Sequence, residues 1–136
     1  MNAIKICIFI ALVIVLSACA SLEFRFPVEG RMGGVGTKGL ATASGGGNGM
    51  FYIDVPGGGR CSGAYDSLNR DPVLTLRIEC DDGRTGQITV TRKPDLINGV
   101  AVGTLSDGTR GQFVFGRNIS YDAEFPGPDH TAPHRR

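Results

Sequence analysis

The chain is expected to fold as an all-β domain: a small antiparallel meander of about seven strands, arranged as a barrel or two-layer sandwich and held by one disulfide. Three observations carry this. From Thr37 to Arg117 the sequence falls into short segments in which apolar and polar residues alternate, the period-two mark of a strand with one buried face. Clusters of Gly, Asp, Asn and Pro separate the segments at close to the roughly 8–12-residue spacing of strands joined by tight turns. Two cysteines, Cys61 and Cys80, fall in register on neighbouring segments.

Strands are expected at 37–44, 49–55, 60–65, 73–80, 86–92, 98–105 and 111–117. The first follows a glycine-rich turn and ends at Gly45-Gly46-Gly47-Asn48-Gly49. In the second, Phe51, Ile53 and Val55 share one face while Tyr52 and Asp54 take the other. Pro56-Gly57-Gly58-Gly59 forms the next loop. The third and fourth strands read as one hairpin. Cys61 shares a face with Gly63 and Tyr65, and Cys80 shares one with Leu74, Leu76 and Ile78. Setting 61 opposite 80 places 65 opposite 76 and 68 opposite 73, leaving Asn69-Arg70-Asp71-Pro72 as the turn. Both sulfurs then lie on the apolar face, so a Cys61–Cys80 bridge is read as a structural staple contributing about 3 kcal/mol. A redox pair would be an exposed, closely spaced C-x-x-C.

The fifth and seventh strands open an internal repeat. Residues 80–92, Cys80-Asp81-Asp82-Gly83-Arg84-Thr85-Gly86-Gln87-Ile88 and on to Arg92, match residues 105–117, Leu105-Ser106-Asp107-Gly108-Thr109-Arg110-Gly111-Gln112-Phe113 and on to Arg117. Each copy reads as a turn feeding a strand, with Asp82-Gly83 and Asp107-Gly108 turning the chain and Gly86 and Gly111 admitting backbone that other residues resist. Repeated hairpin geometry is the main reading, and a twice-presented binding loop is the functional alternative. Gly63 and Gly103 fall inside strands, where they mark bulges, tight curvature or room for an opposing aromatic ring. With no Trp, the core is expected to be filled by Phe51, Phe113, Phe115 and aliphatic residues.

Composition excludes several functions. Without residues 1–18 the chain carries 13 basic and 13 acidic side chains, and no basic cluster of the kind that binds nucleic acid. Gly34-Val35-Gly36-Thr37-Lys38-Gly39 spells G-x-G-x-x-G, but no strand–helix unit surrounds it, so no dinucleotide cofactor follows. No cofactor and no metal are expected: His130 and His134 lie in a Pro-rich tail, and Asp81, Asp82 and Asp107 lack the close spacing of a calcium loop. Between Cys19 and Phe125 there is no histidine, so nucleophilic catalysis lacks its base. The chain is read as non-enzymatic.

The amino terminus carries the address. A cation, Lys5, precedes an apolar run from Ile6 to Leu16, the layout of a secretory signal, and too short to span a bilayer as a helix. Leu16-Ser17-Ala18-Cys19 resembles the lipobox of bacterial lipoproteins. That resemblance covers 19 residues and implies cleavage before Cys19, acylation of Cys19 and anchoring to a membrane. Ala20 and Ser21 after the cysteine imply the outer membrane, with the domain facing the periplasm. Several acyl chains on one residue suffice for stable anchoring. The organisation expected is a signal peptide (1–18), a lipidated tether (19–33), a β domain (34–117) and a flexible tail (118–136).

The function expected is a non-catalytic binding or structural module of the cell envelope. Such a module holds an envelope protein partner, contributes to an assembly through exposed apolar positions such as Val114, or sequesters an incoming molecule. In layout the chain is similar to small lipoproteins that inhibit lysozyme, which implies an inhibitor as an alternative; a surface-exclusion factor is another.

Overall fold

The structure, a computed structural model, describes residues 2–18 and 22–127. A helix, α1 (Asn2–Ala18), precedes eight strands: β1 (Glu23–Met32), β2 (Val35–Ser44), β3 (Asn48–Asp54), β4 (Arg60–Asp66), β5 (Val73–Cys80), β6 (Thr85–Arg92), β7 (Gly99–Leu105) and β8 (Arg110–Phe115). A one-turn helix, α2 (Tyr121–Glu124), follows. The strands form an antiparallel meander in chain order, and β1 pairs with both β2 and β8, so the sheet closes into a barrel. No helix among the described residues is long and apolar enough to cross a membrane.

Two corrections follow. The expected tether, 19–33, enters the sheet from Glu23 as β1, the strand that closes the barrel. Phe24, Phe26, Val28 and Met32 alternate with Arg25, Glu29 and Arg31, so the strand signal was there. Pro27 lies one residue outside the β1–β8 register, which begins at Val28 paired with Phe115, so its missing N–H deprives that ladder of no bond. Residues 118–127 of the expected flexible tail likewise have a defined place on the barrel, and 128–136 lie outside the described residues. Tyr121 donates a hydrogen bond to Gln112 Oε1 (3.3 Å), and Lys93 Nζ lies 2.8 Å from Glu124 Oε1. With α2 placed against β8, Val114 is 1% exposed; it is therefore no docking position.

The core is a row of inward-facing residues from every strand, among them Val28, Met32, Ala41, Phe51, Ile53, Ile78, Ile88, Val90, Leu105 and Phe113. α1 contributes none of them. Cys61 and Cys80 are bonded to each other and buried, and they stand opposite one another as the register required. The β4–β5 ladder holds only that pair and Ser62 with Glu79. The expected pairing of 65 with 76 is absent: the ladder ends at Ser62 and Glu79, although a Cβ on Gly63 would still meet the Arg77 carbonyl at 2.5 Å.

Candidate functional site

The two ends of the barrel differ. At one end lie the short turns after β1, β3, β5 and β7; here Met32, Cys61, Ile78, Cys80 and Leu105 are buried together and close the floor. At the other end the start of β1, the loops after β2, β4 and β6, and the chain leaving β8 surround an opening. Behind it lies a cavity of about 930 Å³, near the upper end of the ~300–1,000 Å³ typical of small-molecule sites. An eight-stranded barrel is just wide enough either to be filled by side chains or to hold one small ligand. This one is hollow.

The hollowness has a residue-level cause and corrects the expectation of a filled core. Inward positions such as Ala41, Ala43 and Ala101 are small and line the cavity. The large rings lie flat against glycines of the neighbouring strand. A Cβ on Gly63 would meet the Phe51 ring at 2.5 Å, one on Gly49 the Tyr65 ring at 2.5 Å, and one on Gly99 the Phe115 ring at 2.6 Å. Each absent methyl gives a ring space on the wall instead of the axis. Phe26, Tyr65, Leu74, Leu76 and Phe115 consequently face inward yet remain only half-buried. Gly63 thus makes the room for a ring anticipated from sequence, whereas Gly103 faces the Gln87 carbonyl and Ile88.

The mouth is polar and basic. Four arginines, Arg25, Arg70, Arg92 and Arg117, line the cavity together with a single carboxylate, Glu23, which pairs with Arg25 at 3.2 Å. Arg92 is half-buried and braces the β4–β5 loop: Nη2 donates to the Asn69 carbonyl (2.7 Å) and Nε to the Asp71 carbonyl (3.0 Å). Tyr65 donates to the Thr42 carbonyl (2.8 Å); burial raises its phenol pKa while the charge of Arg92 works against that rise. Opposite, the β6–β7 loop is locked by Asn98, which is 2% exposed. Its Nδ2 donates to Asp95 Oδ2 (2.7 Å) and its Oδ1 accepts from the Asn118 amide (3.1 Å). Leu96 in this loop has φ of 64°, a left-handed conformation disfavoured for Leu, and it too lines the cavity.

The repeated turns lie at the closed end, side by side. Gly83 and Gly108 turn the chain with φ of 89° and 88°. Gly86 and Gly111 do not have the left-handed backbone expected of them; a Cβ there would strike the Thr104 carbonyl or the Phe113 ring, so close approach is what demands glycine. Arg84 ties the copies together, reaching Asp82 Oδ2 (2.8 Å) and Asp107 Oδ2 (2.9 Å). Asp107 accepts from the Thr109 amide, and that bond, with its Thr109 and Arg84 partners, lowers its pKa from 3.8 to about 2. Both carboxylates are engaged within the barrel floor. Of the processing site, Leu16, Ser17 and Ala18 fall at the end of α1, while Cys19 lies outside the described residues, as do His130 and His134.

The lumen and its mouth were not singled out from sequence; the signal was the small residues at inward positions, which have meaning only once the register is known. Among the described residues no group of three or more His, Cys, Asp or Glu is placed to hold a metal ion. Comparison with protein-family models, with curated proteins and with solved structures found no match.

Proposed function

We propose that this protein is a lipid-anchored binding module of the bacterial cell envelope, fixed through Cys19 to the outer membrane and facing the periplasm, and that its binding site is the barrel lumen. The observation that carries the reading is the apolar cavity of about 930 Å³ open at one end. Of the tasks compatible with an anchored β scaffold, sequestering a small apolar molecule is the one a hollow barrel serves. Burial of apolar surface supplies the affinity, at about 25 cal/mol per Å² removed from water. The apolar lining supports holding a guest as the role.

Two measurements test this. Mass spectrometry of protein extracted from its own membrane is expected to find acyl groups on Cys19; an unmodified cysteine removes the anchor. Residues 22–136, which contain every core residue, are expected to bind the neutral dye N-phenylnaphthylamine saturably at one equivalent. Ala101→Phe, which fills the lumen, is expected to abolish that binding while leaving a cooperative melt. Dye binding that never saturates, or that survives filling, rejects the lumen as the site.

A further inference from the structure

We infer that the guest is a single-chain amphiphile with an anionic head, its alkyl chain lying along the lumen and its carboxylate or phosphate held among the arginines of the mouth. This rests on the lumen being a binding site, as proposed above. Below the mouth the lining is apolar, including Val28, Ile53, Ile88 and Phe113, so the deep part of a guest must be hydrocarbon. On β1 the lining runs from Glu23 to Val28, roughly 16 Å of strand and so about 12 Å of depth at the ~35–45° tilt of barrel strands, suited to a medium-length alkyl chain. One chain is the capacity expected of an eight-stranded barrel.

The sign of the head follows from the mouth. Among the described residues neither Arg70, Arg92 nor Arg117 is paired with a carboxylate. Arg92 is fixed by backbone carbonyls, neutral acceptors that orient the guanidinium without cancelling its charge. Asp66 and Asp95 turn their oxygens to backbone amides, of Leu68 and of Ile97 and Asn98, and not to these arginines. Guanidinium groups match carboxylate and phosphate oxygens in geometry as well as in charge.

A separate feature suits the mouth to a membrane surface, a source of such molecules. Leu22, Phe24, Leu68, Val73 and Ile97 are exposed large apolar residues, all at the open end. Apolar side chains interspersed with arginines form a surface suited to a membrane interface. Glu23 at the rim is the fourth residue after Cys19, so an acylated Cys19 holds the opening within about 14 Å of its lipid.

The test is competition against the lumen dye using residues 22–136 and three competitors of equal chain length: dodecanoate, dodecanol and lauroyl lysophosphatidylglycerol. Dodecanoate is expected to bind about tenfold more tightly than dodecanol, a difference equal to about 1.4 kcal/mol, with the advantage shrinking as salt is added. Arg70→Gln/Arg117→Gln is expected to bring acid and alcohol to within about twofold of each other, each competitor being read against that variant's own dye affinity. Displacement by dodecanoate alone assigns a free fatty acid, and displacement by the lysophospholipid as well assigns a membrane lipid; both support the proposal. Equal binding of acid and alcohol overturns it while leaving the lumen a binding site. Failure of the dye itself to bind rejects the underlying reading.

Discussion

Replacing Gly49 by alanine is expected to destabilise the barrel by about 1–3 kcal/mol, through one neighbour. A Cβ on Gly49 would lie 2.5–2.7 Å from three atoms of the Tyr65 ring, with no backbone atom among its nearest contacts. Overpacking of this kind typically costs ~1–3 kcal/mol. Displacing the ring also endangers its bond to the Thr42 carbonyl, worth about 1 kcal/mol, while the loss of glycine's unfolded-state freedom offsets about 0.4–1 kcal/mol. The assay is urea unfolding of four proteins: wild type, Gly49→Ala, Tyr65→Leu and the double variant. In the Tyr65→Leu background the added methyl should be neutral or stabilising, giving a coupling of at least about 1 kcal/mol. Independent sites add within ~0.3–0.5 kcal/mol, so additive costs would refute the claim that this glycine exists to seat the ring. Gly36→Ala, with nothing within 4 Å of its Cβ, serves as the contrasting strand position and should show no such loss.

Removing the disulfide with Cys61→Ala/Cys80→Ala should cost about 3 kcal/mol, read as a lower urea midpoint; since the bridge lies in the floor, dye affinity at low urea should persist. Asn98→Ala should cost about 1–3 kcal/mol by leaving the Asn118 amide and Asp95 Oδ2 without their side-chain partner, and exchange of the amides at the β6–β7 loop should quicken. Asp107 has a folded-state pKa below its ordinary value, so its contribution is complete above about pH 4 and lost as pH falls toward 2. Asp107→Asn should therefore flatten the decline of melting temperature across that window, and an unchanged decline would contradict the role given to Thr109 and Arg84.

Much of the barrel was legible because its strands bury one face and expose the other. Leu74, Leu76 and Ile78 against Thr75, Arg77 and Glu79 fix β5 unaided, and the cysteines then fix the β4–β5 register at Cys61 and Cys80. β1 was missed because its alternation is diluted by Pro27 and Gly30 and because it directly follows the processing site, where a tether is the natural reading. Closure could not be derived, since Val28 meeting Phe115 joins residues far apart in sequence. The lumen escaped for a different reason. Whether Phe51 fills a barrel or lies along its wall is decided by Gly63 on the adjacent strand, and no single segment records that pairing. Val114 shows the converse: alternation marks it as outer, yet it is buried, on a strand against which α2 lies.

The two-pair ladder between β4 and β5 leaves the wall with a seam, pinned at the floor by the disulfide and unstitched toward the rim. Elsewhere, widening the barrel means breaking a run of inter-strand bonds. Here two ladder pairs and one covalent bridge hold the strands, so the amides of β4 and β5 beyond Ser62 and Glu79 are expected to exchange ahead of those in the longer ladders. The bridge is thus the strongest tie across the least-laddered boundary of the wall.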